Sequence, residues 1–181
     1  TPRGRLRGAM AARGSDHGVR AVLVRVYGGG RIGGALLAAS PETSPFQAAG
    51  FVRYLDYTGS LNVTGSVGPF DTEGVTQSFA YLLTGVDPLC LSGAGAAANS
   101  CGIHIHSGST CVADAGGHYF TGTVTADPWT SISYTSLRSG TTAGMVTVTT
   151  GGTGADIEGR AMVVHGFDGG RIACALLVPL S

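Results

Sequence analysis

The chain has 181 residues, 12% of them charged, and eleven basic residues balance eleven acidic ones. That length suits one domain with a proper core plus an appendage. The neutral balance excludes the basic surface that nucleic acid or an anionic membrane would demand as partner, and no apolar run approaches the roughly 18 residues needed to span a bilayer.

All eleven basic residues are arginine, and seven of them fall within the first 31 positions. The opening "TPRGRLRGAMAARG" reads as a solvated basic lead-in. It lacks the apolar stretch that follows the basic residues of a signal peptide, so the chain reads as a mature sequence or a fragment. His17 belongs to this lead-in and to no candidate site. Residues 20–37 form a strand pair around a glycine-rich turn, and "SPETSPFQ" then reads as a linker. Beyond it come short strand-like segments: "FVRYLDY", "SLNVTGSV", "TQSFAYLLTG", "GIHIHS", "HYFTGTVTA", "SISYTSL", "GMVTVTT", "RAMVVHGF" and "RIACALLV". Gly, Pro, Asp and Ser clusters separate them at the spacing of a sandwich or barrel, and no helical periodicity of useful length intervenes. The expected class is all-β.

Residues 20–37, "RAVLVRVYGGGRIGGALL", align without gaps on residues 160–177, "RAMVVHGFDGGRIACALL", with ten of eighteen positions identical. Repetition of this kind marks tandem units. Residues 1–40 are therefore expected to be the terminal strands of a degenerate preceding unit, and residues 41–181 one full unit. His165 corresponds to Arg25 and Cys174 to Gly34. The histidine and the cysteine are thus expected to act in the second copy alone.

Four cysteines, Cys90, Cys101, Cys111 and Cys174, contain no CxxC pair. They predict two disulfides, with three connectivities open, and an oxidising compartment. The triplet Asn62-Val63-Thr64 fits an N-glycosylated secreted protein, with Asn62 as acceptor.

In "CGIHIHSGSTC" an extended backbone puts Ile103 and Ile105 on one face and His104 and His106 on the other. This is the pattern of a metal site, or of a half-buried strand with two solvated rings. The full unit holds only two more histidines, His118 and His165, both on strand-like segments. Four imidazoles with none left over suit copper or zinc.

In order, "GIHIHSGSTC", "GGHYF", "GRAMVVHGF" and "GGRIAC", spread over about residues 48–178, resemble the copper/zinc superoxide dismutase family. The resemblance implies a Greek-key β-sandwich or barrel, immunoglobulin-like in layout. It also implies copper ligands at His104, His106, His118 and His165, and a Cys111–Cys174 disulfide. Arg171 would draw in the anion, and Arg160 would be structural. Cys90 and Cys101 would then form a second disulfide.

Two departures narrow the resemblance. Segment 119–160 has no His or Cys, and Asp127, Asp156 and Glu158 are its only acids. That is too few for a tetrahedral zinc site. The loop after His165 is only "GFDGG". Both departures resemble the copper-only branch of the family, in particular its tandem-repeat proteins. The implied activity is extracellular dismutation of superoxide anion to O2 and H2O2 with copper and no zinc. The alternative is a non-catalytic copper-binding or structural module of a tandem or filamentous assembly, joined through residues 1–40. Without zinc, the outer nitrogen of His118 needs another acceptor, and Asp127 and Asp114 are the candidates.

Overall fold

The computed structural model describes the backbone of residues 20–25 and 31–37 and the whole of residues 45–180. Two compact units divide between Glu42 and Thr43. The basic lead-in, and the linker as far as Ser44, lie outside the described residues.

In the first unit, β1 (Arg20–Arg25) and β2 (Arg31–Leu37) form an antiparallel hairpin. Its pairs include Ala21↔Leu36, Val22↔Ala35, Leu23↔Gly34, Val24↔Gly33 and Arg25↔Arg31. In the second unit, β9 (Ala161–His165) and β10 (Arg171–Pro179) pair as Ala161↔Leu176, Met162↔Ala175, Val163↔Cys174, Val164↔Ala173 and His165↔Arg171. Each pair is the other displaced by 140 residues, and both ladders slip register beside their last pair. The sequence repeat is therefore also a repeat of pairing.

The remaining strands of the second unit are β3 (Phe46–Ala49), β4 (Val52–Arg53), β5 (Thr64–Glu73), β6 (Thr76–Thr84), β7 (Ile103–Ile105) and β8 (Thr141–Thr149). They build one curled antiparallel sheet in the order β7-β9-β10-β3-β5-β6-β8, with β4 paired beside β3 on β10. Among the described residues, helical structure is confined to two 3-10 turns, Pro88–Ser92 and Pro128–Ser131, and one α-turn, Gly154–Ile157. The class is all-β, as expected.

Period-two patterning decides which side of β6 is inside. Gln77, Phe79, Tyr81 and Leu83 are buried, while Leu82 between them is exposed. Val146 and Val148 of β8 and Phe70 of β5 meet this face, Phe70 stacking on Phe79 at 4.5 Å. Gln77, the one polar member, is satisfied: its amide donates to the Gly152 carbonyl, and its carbonyl accepts from Thr150 Oγ1. Strands β7 and β9 differ in being buried on both faces. Ile103, Ile105, Met162 and Val164 join the main core, whereas Ala161 and Val163 form a second cluster with Tyr54, Ala115 and Cys174. This second face carries the functional side chains.

Three predicted strands are shorter than expected, and "SPETSPFQ" ends inside a strand. Phe46 and Gln47 begin β3, where Phe46 packs against Phe70. "FVRYLDY" is extended only over Val52–Arg53, because the Tyr57 amide turns back to the Tyr54 carbonyl. In "HYFTGTVTA", Tyr119 donates to the Ile105 carbonyl and Thr121 to the Thr150 carbonyl, and the chain then turns at Gly122 (φ +64°). Single bonds to two different neighbours do not make a ladder. "SISYTSL" likewise forms no ladder: its one bridge is Ser133↔Gly102, and its other bonds to the sheet, such as Leu137 N–H to the Thr141 carbonyl, are isolated.

Candidate metal centre

The turn before β7 aims the first two histidines. Asn99 and Cys101 both have positive φ, +62° and +54°, a conformation that costs a non-glycine residue free energy unless its surroundings enforce it. Here they do. Cys101 is bonded to Cys90, its amide donates to the Gly166 carbonyl at 2.8 Å, and its carbonyl accepts from Tyr134 at 2.8 Å. Gly102 follows, and any Cβ there would run into the His104 ring. Directly opposed residues of an antiparallel pair share a face. The pairs His104↔Val163 and Arg171↔His165 therefore place His104, His165 and Arg171 on the outer face of β7, β9 and β10. His106 continues this face, its amide donating to the Ala161 carbonyl, and a bridge sets His118 against it.

One ligand atom from each of His104, His106, His118 and His165 can be chosen so that all four lie within 4.8 Å of one another. These residues could hold a metal ion. Their outer hydrogen bonds decide which nitrogens face inward. His104 Nε2 lies 2.8 Å from the Ile132 carbonyl, and His106 Nδ1 lies 2.9 Å from that of Gly116. His165 Nδ1 lies 2.9 Å from the Gly169 carbonyl, and His118 Nδ1 lies 2.7 Å from Asp127 Oδ2. An oxygen acceptor requires N–H on its partner, and a neutral imidazole carries one proton. The inner atoms, Nδ1 of His104 and Nε2 of the other three, are therefore lone pairs. His104 Nδ1 and His118 Nε2 are buried with no hydrogen-bond partner. His106 Nε2 and His165 Nε2 stand 3.3 Å apart, acceptor against acceptor. An unpaired buried polar atom is costly, and a cation resolves all four at once.

Burial keeps the rings of His104, His106 and His165 neutral. It lowers His104 to about 2, His106 to about 3 and His165 to about 4, and the neighbouring imidazoles add to the depression in each case. Neutral imidazole is the ligating form.

Arg171 stands beside this cluster. Its Nη1 donates to the Tyr54 hydroxyl at 2.5 Å and to Asp114 Oδ1 at 2.6 Å. Its Nη2 donates to the Gly116 carbonyl at 2.6 Å, the same oxygen that receives the His106 ring N–H. The Arg171 bond in turn holds the Asp114 carboxyl below its ordinary range. Residues 107–117, which supply Asp114 and Gly116, are tied to β10 by the Cys111–Cys174 disulfide. Arg171 also lines one wall of a cleft of about 700 Å³, with Tyr54, Tyr57, Asp56, Asp114 and Asp168 around it.

The sequence-predicted histidines are all brought together, and both expected disulfides are present, Cys90–Cys101 and Cys111–Cys174. Asp127, not Asp114, is the acceptor for His118. Arg160 braces the loop: it donates to the Asp156 and Ser107 carbonyls and lies 3.8 Å over the Tyr119 ring. Asn62 is exposed, as a glycosylation acceptor must be. Four contributors escaped the sequence reading. Tyr54 sat in an apparent strand, and the Ile132, Gly116 and Gly169 carbonyls are backbone atoms with no residue signature. Gly169 and Gly116 carried a signal as glycines: their φ of +81° and +74°, with the Ala98 carbonyl and the Ser107 hydroxyl respectively in the way of a Cβ, disfavour a side chain. The chain matches no model of a known family, and no curated protein matches it.

Proposed function

We propose that this protein is a copper-dependent superoxide dismutase of the copper-only branch, acting outside the cell. The observation that carries the reading is the convergence of four buried imidazole lone pairs next to an arginine on the same sheet face. The Greek-key barrel of that family is supported by residues 118–121, which bond to Ile105 of the edge strand β7 and to Thr150, the residue that follows the other edge strand, β8. Two disulfides fit an oxidising compartment.

A copper ion held by His104, His106, His118 and His165 would supply the one-electron couple that oxidises one superoxide to O2 and reduces a second to H2O2. The residues of the chain do the rest. Asp127 keeps the His118 proton on Nδ1, away from the centre. The Gly116, Ile132 and Gly169 carbonyls fix the other three tautomers in the same way. Arg171 offers charge and N–H donors to the anion.

The second reading is a non-catalytic copper-binding module. It draws on the burial of the site, where His104, His106 and His165 are each 1% exposed. Loading with both copper and zinc, followed by elemental analysis and a superoxide assay, separates the readings. The enzyme requires one copper and no zinc per chain, turnover that His165→Ala abolishes, and slower turnover with copper retained in Arg171→Ala. Stoichiometric zinc overturns the copper-only reading, and copper without turnover leaves the module.

A further inference from the structure

Arg171 is not a free cation beside the site, and the groups that restrain it are specific. A guanidinium has five N–H donors. Three are used by the Tyr54 hydroxyl, Asp114 Oδ1 and the Gly116 carbonyl, and both Nη1 donors are among them. Among the described residues this leaves Nε–H and one Nη2–H, adjacent donors that form the fork suited to a small anion. The Tyr54 hydroxyl has one proton and two lone pairs, and all are engaged. It donates to Asp114 Oδ1 at 3.0 Å, and it accepts from Arg171 and from the Ala115 amide at 3.0 Å. Its ring is 7% exposed, packed with Ala115 and Cys174, so the hydroxyl is a fixed point. Asp114 also accepts from the Gly116 amide, and its carboxylate is 76% exposed.

We propose that Tyr54 and Asp114 are the positioning residues of Arg171. Tyr54 holds the guanidinium by Nη1, so that the Nε–Nη2 edge stays free for the anion. Asp114 offsets the positive charge and so limits how tightly the centre binds anions. The inference rests on the proposed copper site with Arg171 as its anion contact. It makes the two residues act in opposite directions, which a merely structural role would not produce. Asp114→Asn keeps an oxygen that can accept from Arg171 and Tyr54 but removes the charge. Tyr54→Phe keeps the packed ring but removes the fixed acceptor.

The test is azide titration of the copper-loaded full chain, followed by the visible spectrum. Asp114→Asn is expected to tighten azide binding about 3- to 10-fold at low salt, the effect of removing one charge several ångströms away in a partly aqueous setting. Tyr54→Phe is expected to weaken it about 2- to 10-fold, the loss of one hydrogen bond. In the metal-free protein, exchange of the Ala115 amide should speed up in Tyr54→Phe, showing that the bond has been removed. Unchanged azide affinity in both variants, while Arg171→Ala loses affinity, overturns the inference and leaves the copper site standing. Azide binding indifferent to Arg171→Ala, or a chain that takes up no copper, overturns the underlying reading and this inference with it.

Discussion

Asp127 uses its two oxygens for different purposes. Oδ1 accepts from the Trp129 amide at 2.9 Å and starts the 3-10 turn, while Oδ2 accepts from His118 Nδ1 at 2.7 Å. Asp127→Asn preserves the first bond but sets an amide donor against the ring N–H. The His118 tautomer must then switch, which points a proton at the centre. Copper affinity, measured against a competing chelator, is expected to fall about 10- to 100-fold. Unchanged affinity would mean that Asp127 does not set the tautomer. The buried rings also predict acid sensitivity. Their values are lowered from 6.5 to about 4 or below, so the unfolded chain binds more protons than the fold from about pH 6.5 downward. Stability of the metal-free protein should therefore fall with pH through that window, by up to about 1.4 kcal/mol per unit for each ring. A urea midpoint that stays flat between pH 7 and 4.5 would contradict this. At this scale the sequence was highly legible for ligands, because an alternating Ile-His-Ile-His admits one arrangement on a strand. It was silent on carbonyl acceptors, which every residue possesses.

The elements that carry the site are short, and covalent links stand in for ladder length. Strand β7 has three residues, yet it aims both His104 and, just past its end, His106, because Cys90–Cys101 fixes its entry and β9 pairs along it. The loop after it has no regular structure, and Cys111–Cys174 holds it to β10. In the loop-entropy account, the sequence separations of 63 and 11 residues correspond to about 4 and about 3 kcal/mol. The long closure should therefore matter more to stability. It should matter to function as well, because the loop carries Asp114 and the Gly116 carbonyl. Cys111→Ser with Cys174→Ser is expected to lower the denaturant midpoint more than removing Cys90–Cys101, and to weaken azide binding to the copper form. Equal stability losses with unchanged azide binding would show that the loop holds its shape without the link. The cysteine pairing was open on composition, since four cysteines allow three connectivities. Strand limits were legible where burial alternates, as in β6. They were misread at Tyr54 and Tyr119, where one aromatic residue bonds outside any ladder.

At the scale of the whole molecule, the shared register of β1–β2 and β9–β10 bears on how the chain is organised. Displacement of five pairs by 140 residues, slip included, is what two copies of one unit would keep. The earlier hairpin has Arg25 where the later one has His165, so it lacks one of the four imidazoles that could hold a metal ion. All four ligands, Arg171 and both disulfides lie in the unit Thr43–Ser181. A lone hairpin buries too little apolar surface to be stable in water, so residues 20–37 need a further packing surface. Exposed strand edges offer such a surface, between copies as readily as within one. Heterologous contacts of that kind close into rings or run on as filaments. Deleting residues 1–42 is therefore expected to leave copper uptake and the thermal midpoint of the remaining unit unchanged. The same deletion should abolish any concentration-dependent assembly seen by light scattering. If the shortened protein unfolds while the intact one is a stable monomer, the hairpin packs within its own chain and assembly through it is excluded.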